Sequence, residues 1–246
     1  MRTIIWFFYF WIILFRYFPV LYRIKKLDRE GRGEERDQLM ERSVSAWAHS
    51  LLRVAGVQVE VSGIENIPTG PVVFVSNHQG NFDIPILLAH LDRPHGFVAK
   101  IETQKIPFIR SWMKYLRCVF LDRSNPRQAM SAIGQAAHTI QEGKPIILFP
   151  EGTRSRGDQM RQFQSGGLRL ATKSEVPVVP LVINGSYRVM EAHGFWIHPA
   201  KVYLTILPPV FVAEMNREEK KQFPIYSSTF CGCISLQIPT AMPTSN

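Results

Sequence analysis

The sequence predicts an α/β domain, a central and mostly parallel sheet flanked by helices, with α+β layering as the other arrangement its pattern allows. Three observations predict it. Short runs rich in β-branched residues recur at 57–61, 72–75, 118–121, 146–149, 178–183 and 202–207, each with the length and composition of a buried strand. Helical periodicities separate several of these runs, the alternation expected when helices cover a sheet. With 246 residues and 46% apolar side chains, the chain is long enough for one sizeable core, and no linker-like stretch divides it.

The elements follow in order. Residues 4–18, "IIWFFYFWIILFRYF", are apolar or aromatic except for Arg16. Arg2, Arg16, Arg23, Lys25 and Lys26 surround the run, and no acidic residue precedes Asp28. A spanning helix needs about 20 apolar residues. This shorter run, interrupted by arginine and followed by Pro19, is better suited to partial immersion in one leaflet, with the aromatic rings at headgroup depth and the cations on anionic lipid. A cleaved signal is disfavoured by the aromatic content and the lack of a small-residue cleavage site. Met40, Val44, Trp47, Leu51 and Val54 mark one face of a helix over 34–55, stopped by Gly56. Asn125 and Pro126 open a further helix that ends before Gly143. The division expected is a membrane-associated helical segment at 1–55, a catalytic domain at 56–223 and an uncharged tail at 224–246.

Two loops carry the chemistry. "SNHQGNFDIP" follows the apolar run 72–75 and sets His78 and Asp83 five residues apart. Asp83 before Ile84 and Pro85 also reads as a helix N-cap. The loop, however, lies beyond the carboxyl end of a strand, where α/β proteins place ligands. An aspartate that accepts from one imidazole nitrogen leaves the other free as a base. "PIILFPEGTRSRG" repeats the arrangement, a buried strand running into a glycine turn with Arg154 and Arg156, and Arg161 close behind. Arginine forks suit phosphate; a merely solvated basic loop is the alternative.

These residues carry a family likeness. The chain resembles the glycerolipid acyltransferases, most closely the bacterial 1-acylglycerol-3-phosphate acyltransferases. "NHQGNFD" matches the family's N-H-x-x-x-x-D signature and "FPEGTRS" its F-P-E-G-T-R-S block. Residues 99–125, with Lys100, Pro107 and Arg123, resemble the second family block, and "VPVVPLVI" at 176–183 the fourth. The resemblance implies that His78, oriented by Asp83, deprotonates the sn-2 hydroxyl of lysophosphatidate as it attacks an acyl thioester. Glu151, Gly152, Thr153 and Arg154 would shape the acceptor site, with Lys100 and Arg123 as added cations and backbone N–H groups near Gly152 as candidate oxyanion donors. It also implies an N-terminal two-helix anchor, from about 3–20 and 34–55. No G-x-S-x-G elbow and no cysteine beside His78 offers a nucleophile, in keeping with direct transfer.

Charge and cysteines bound the setting. The 29 basic against 20 acidic side chains give +9, which favours an anionic partner: a phospholipid surface, an acidic acyl carrier (acyl-carrier protein or coenzyme A) or nucleic acid. Nucleic acid is disfavoured, because the aromatic residues near the basic cluster form a continuous apolar run and not a stacking platform. Cys118, Cys231 and Cys233 make neither a disulfide framework nor a zinc site, so no metal or other cofactor is expected and a reducing compartment fits, at the cytoplasmic face of the cell membrane. Another acceptor, glycerol-3-phosphate or a different lysophospholipid, and a non-enzymatic basic membrane-surface protein are the competing readings.

Overall fold

The computed structural model describes residues 1–220 except Asp92, Pro94, Pro107, Arg123 and Arg217. The uncharged tail at 224–246, with Cys231 and Cys233, and the expected cation Arg123 therefore lie outside the described residues. Among the described residues seven strands form one sheet: β1 (Val57–Ser62), β2 (Val73–Ser76), β3 (Gly96–Lys100), β4 (Val119–Leu121), β5 (Ile146–Leu148), β6 (Val178–Asn184) and β7 (Ala200–Ile206). Their order across the sheet is β1-β7-β6-β2-β5-β3-β4. Every neighbouring pair is parallel except β6 with β7. The mostly parallel α/β expectation thus holds, and the carboxyl ends of β2, β3, β5 and β6 share one edge. β2 sits in the middle of the sheet, so its loop opens between those of β5 and β6.

Helices cover both faces: α1 (Arg2–Arg16), α2 (Phe18–Arg29), α3 (Gly33–Ala55), α4 (Asp83–His90), α5 (Ile109–Tyr115), α6 (Pro126–Gln141) and α7 (Ser165–Lys173). Alternation along β2 divides the core. Phe74 packs with Ile147, Val179 and Leu181 beneath α3 and α4, whereas Val73 and Val75 pack with Ile146, Leu148 and Val178 beneath α6 and α7. Period-2 alternation with both sides apolar is what makes the central strand a continuous hydrophobic run. At α6 the Asn125 side chain accepts from the N–H groups of Arg127 and Gln128, with Pro126 in the first turn, as the sequence predicts.

The two-helix N-terminal expectation holds, and its first helix runs on past residue 20 to Arg29 as α1 and α2, bent at Tyr17. Pro19 lies in the first turn of α2 and has no N–H to continue the ladder from α1. The basic residues of α2 disguise its buried stripe, Leu21, Ile24 and Leu27. Together α1 and α2 form one bent helix long and apolar enough, by length and composition, to cross a membrane. The sequence also hides β3, whose five residues, GFVAK, hold one β-branched side chain.

The first helix is joined to the body. Trp6 is buried, its indole N–H donates to the Leu51 carbonyl at 3.1 Å, and its ring lies 5.4 Å from that of Phe82. Opposite that seam, Ile4, Ile5, Phe8, Trp11 and Phe15 are exposed.

Candidate active site

β2 delivers the histidine loop and its own strand neighbours lock it. The Asn77 side chain donates to the Ile183 carbonyl and accepts from the Ile183 N–H, both at 2.8 Å, fastening the loop to β6. Gln79 Oε1 accepts from the Gly185 N–H at 2.9 Å. Between them His78 is held on three sides. Its Nδ1 lies 2.7 Å from Asp83 Oδ2, its ring stacks on Phe149 at 4.1 Å, and its carbonyl accepts from the Ser155 N–H at 2.7 Å.

Asp83 opens α4 but does not cap it. The residue at the cap position is Phe82, which makes no side-chain cap bond. The carboxylate instead accepts from His78 and, at 2.9 Å, from the Gly80 N–H on Oδ2, and from the Ser186 hydroxyl on Oδ1. It is fully buried. Three donors offset the desolvation of a buried carboxylate. An ionised Asp83 fixes the proton on Nδ1 and leaves Nε2 as the basic nitrogen. The His78 side chain remains 18% exposed, so its ring is not sealed from solvent.

The arginine loop after β5 is stitched to the histidine loop. Ser155 N donates to His78 O, and Arg156 N donates to Gln79 O at 3.1 Å. Glu151 completes the seam: Oε1 accepts from the His78 N–H at 2.6 Å and Oε2 from the Arg161 N–H at 2.8 Å. Its burial raises the carboxyl pKa, opposed by those two N–H donors. Both oxygens are thus committed to the backbone, so Glu151 acts as a brace between loops. Gly152 takes φ 73° and its N–H closes the turn on Phe149 O at 3.0 Å, which engages one of the backbone donors around Gly152 that the sequence suggested for an oxyanion. Thr153 is exposed. Arg154, half-buried, donates from Nη1 to Asn81 Oδ1 and to Glu191 Oε1 at 3.2 Å. Lys100 ends β3 on the same edge, beyond β5.

Two contributors escape the sequence reading, Ser186 and Glu191. Both follow β6, and they meet the histidine loop across 103 and 110 residues of chain. Their only sequence signal is position, a Gly-Ser turn beyond the carboxyl end of a buried strand. Among the described residues no cluster of His, Cys, Asp or Glu is suited to a metal ion.

A family model described as Acyltransferase matches residues 58–184, just over half of the chain, including both loops. The chain belongs to the acyltransferase family. Among relatives, the Pseudomonas aeruginosa 1-acyl-sn-glycerol-3-phosphate acyltransferase is 32% identical over 173 residues, 67% of this chain and 66% of that protein. A Mycoplasma pneumoniae protein titled "Probable 1-acyl-sn-glycerol-3-phosphate acyltransferase" is 39% identical over 146 residues, 57% of this chain. This acyltransferase chain spans little more than half, 54%, of that relative's length. The crystal structure of the 1-acyl-sn-glycerophosphate (LPA) acyltransferase PlsC from Thermotoga maritima superposes with a TM-score of 0.83 at 28% identity, covering 99% of this chain and 100% of that one.

Proposed function

We propose that this acyltransferase moves a fatty acyl chain from a thioester to the sn-2 hydroxyl of 1-acylglycerol-3-phosphate, forming phosphatidate for phospholipid synthesis. The observation that carries the reading is the His78–Asp83 pair, bonded at 2.7 Å, in a loop that Arg154 touches through Asn81. His78 Nε2 takes the hydroxyl proton as that oxygen attacks the thioester carbonyl. The tetrahedral intermediate collapses with cleavage of the C–S bond, and the imidazolium returns the proton to the departing thiolate. Asp83 balances the imidazolium throughout. Arg154 grips the acceptor phosphate, and Lys100 and Arg123 are the added cations that the family resemblance implies. Glu151 and Gly152 shape the turn that presents Arg154, and Thr153 lines its exposed rim. No covalent acyl-enzyme is needed.

The names and folds of the relatives support this acceptor, and the charge of +9 suits either acyl-carrier protein or coenzyme A as donor. The exposed face of α1 supports a place at the membrane surface, and the cytoplasmic side is the proposed one. With Trp6 docked on α3, α1 lies in one leaflet and presents Phe8, Trp11 and Phe15 to lipid, so the acceptor's acyl chain stays in the bilayer as its headgroup enters the site.

The test is acyl transfer in mixed micelles containing lysophosphatidate, glycerol-3-phosphate or lysophosphatidylcholine, with both thioester donors, for the parent and His78→Ala. The reading expects phosphatidate from the parent and a loss on the order of 10²-fold or more in the variant. Preference for lysophosphatidylcholine or glycerol-3-phosphate over lysophosphatidate, or full turnover by folded His78→Ala, would overturn it.

A further inference from the structure

We propose that Glu191 is a positioning residue for acceptor binding, a buried carboxylate that aims the Arg154 guanidinium at the substrate phosphate. The inference rests on the reading of Arg154 as the phosphate-binding residue. Glu191 opens a single 3-10 turn, Glu191–His193, beyond β6. Its Oε1 accepts from the Asn81 N–H at 2.7 Å and from Arg154 Nη1 at 3.2 Å, while the same Nη1 donates to Asn81 Oδ1. Arginine, asparagine and glutamate form a closed triangle that draws on three loops, those after β2, β5 and β6.

The geometry separates this contact from an ordinary surface ion pair. The Glu191 side chain is 6% exposed against 31% for Arg154, so the carboxylate is the fixed partner and the guanidinium the accessible one. Glu191 Oε2 is buried with no hydrogen-bond partner among the described residues, an arrangement that works against stability. The adjoining loop accommodates it through a glycine: a Cβ on Gly80 would stand 2.4 Å from that oxygen. A feature held at a cost to stability and fitted against the loop of the catalytic base points to a role in the reaction. Only Nη1 of Arg154 is tied to Asn81 and Glu191; Nε and Nη2 have no hydrogen-bond partner among the described residues and stay available for the two-pronged contact that phosphate accepts.

Holding the guanidinium beforehand removes the ordering of a flexible side chain from the binding step, which for one rotamer-rich residue changes affinity by up to about 10-fold. The experiment measures steady-state kinetics in mixed micelles, varying lysophosphatidate and then the thioester, for the parent and for E191A, E191D, E191Q, R154A and E191A/R154A. Thermal melting confirms folding. Expected is an acceptor KM raised on the order of 10-fold in E191A and E191D, the latter keeping the charge but withdrawing it by one methylene. Donor KM and kcat should hold within about 3-fold, and E191Q, which retains the Oε1 acceptor, should recover most of the loss. R154A should raise acceptor KM further, and adding E191A to it should change nothing more, because the two act as one unit. If R154A raises acceptor KM while E191A and E191D do not, or if the double variant is additive, the inference on Glu191 is overturned and the reading of Arg154 stands. If R154A leaves acceptor KM unchanged, the phosphate assignment itself fails. Should E191A not fold, the pair E191D and E191Q decides alone, and equal acceptor KM in the two would overturn the proposal.

Discussion

Replacing Asp83 by asparagine isolates the charge of the proposed catalytic pair from its shape. In the parent, Oδ2 accepts from His78 Nδ1 at 2.7 Å and from the Gly80 N–H at 2.9 Å, while Oδ1 takes the Ser186 hydroxyl. The asparagine oxygen can stand where Oδ2 was, and its amide can donate to Ser186 Oγ once that hydroxyl turns. The hydrogen bonds therefore survive and the fold should hold. The carboxylate that balances the imidazolium in the proposed transfer is lost. Two unit charges about 4 Å apart at an effective dielectric near 20 attract by about 4 kcal/mol, which corresponds to roughly 10³-fold in rate. The assay is turnover of lysophosphatidate at saturating thioester, with the acceptor KM measured alongside. A fall in kcat of that order at nearly constant KM is expected. A folded Asp83→Asn protein with kcat within about 10-fold of the parent would refute the claim that Asp83 supports the base electrostatically, since general acid–base contributions start near 10².

Three further outcomes can be checked. Asn77→Ala strips two buried backbone partners from Ile183 at about 1–3 kcal/mol each, so urea unfolding should show a loss of about 2–6 kcal/mol; a loss below about 1 kcal/mol would mean the clamp is dispensable. Glu151→Gln turns an amide donor toward the N–H of His78 or of Arg161, and should lower both stability, by about 1–3 kcal/mol, and kcat; parent-like values in both would count against the brace. Burial pushes the His95 imidazole down from 6.5 to about 4, so its contribution is complete above pH 6.5 and is lost as the pH falls through that window, a total of about 3 kcal/mol. Unfolding from pH 7 to 4 should slope less steeply for His95→Gln, and identical slopes would show that His95 is not the group responsible.

What the sequence disclosed and what it withheld divide along contact distance. The histidine and its aspartate lie within one loop and share a spacing, so their partnership was legible, as was the strand that carries them. Asn125 and Pro126 likewise announce α6 by local capping chemistry. Ser186 and Glu191 reach the same loop only because β6 lies beside β2, an adjacency that no local pattern encodes. Glu151 was legible as part of the site, but its commitment to two backbone N–H groups depends on how two loops meet. The short β3 and the basic-studded α2 were missed for a different reason: tertiary burial sustains elements whose own composition is weak.

Trp6 has a practical bearing on how the protein can be handled. Its indole bonds to Leu51 and its ring lies against Phe82, the residue directly before Asp83, so the apolar N-terminus is not a tag that can be cut away to make the enzyme soluble. A chain starting after Arg29 would open a hydrophobic wound over α3 and α4 beside Asp83, inviting aggregation. Solubilisation should instead repaint the opposite surface, exchanging exposed Phe8, Trp11 and Phe15 for polar side chains while leaving Trp6 in its seat.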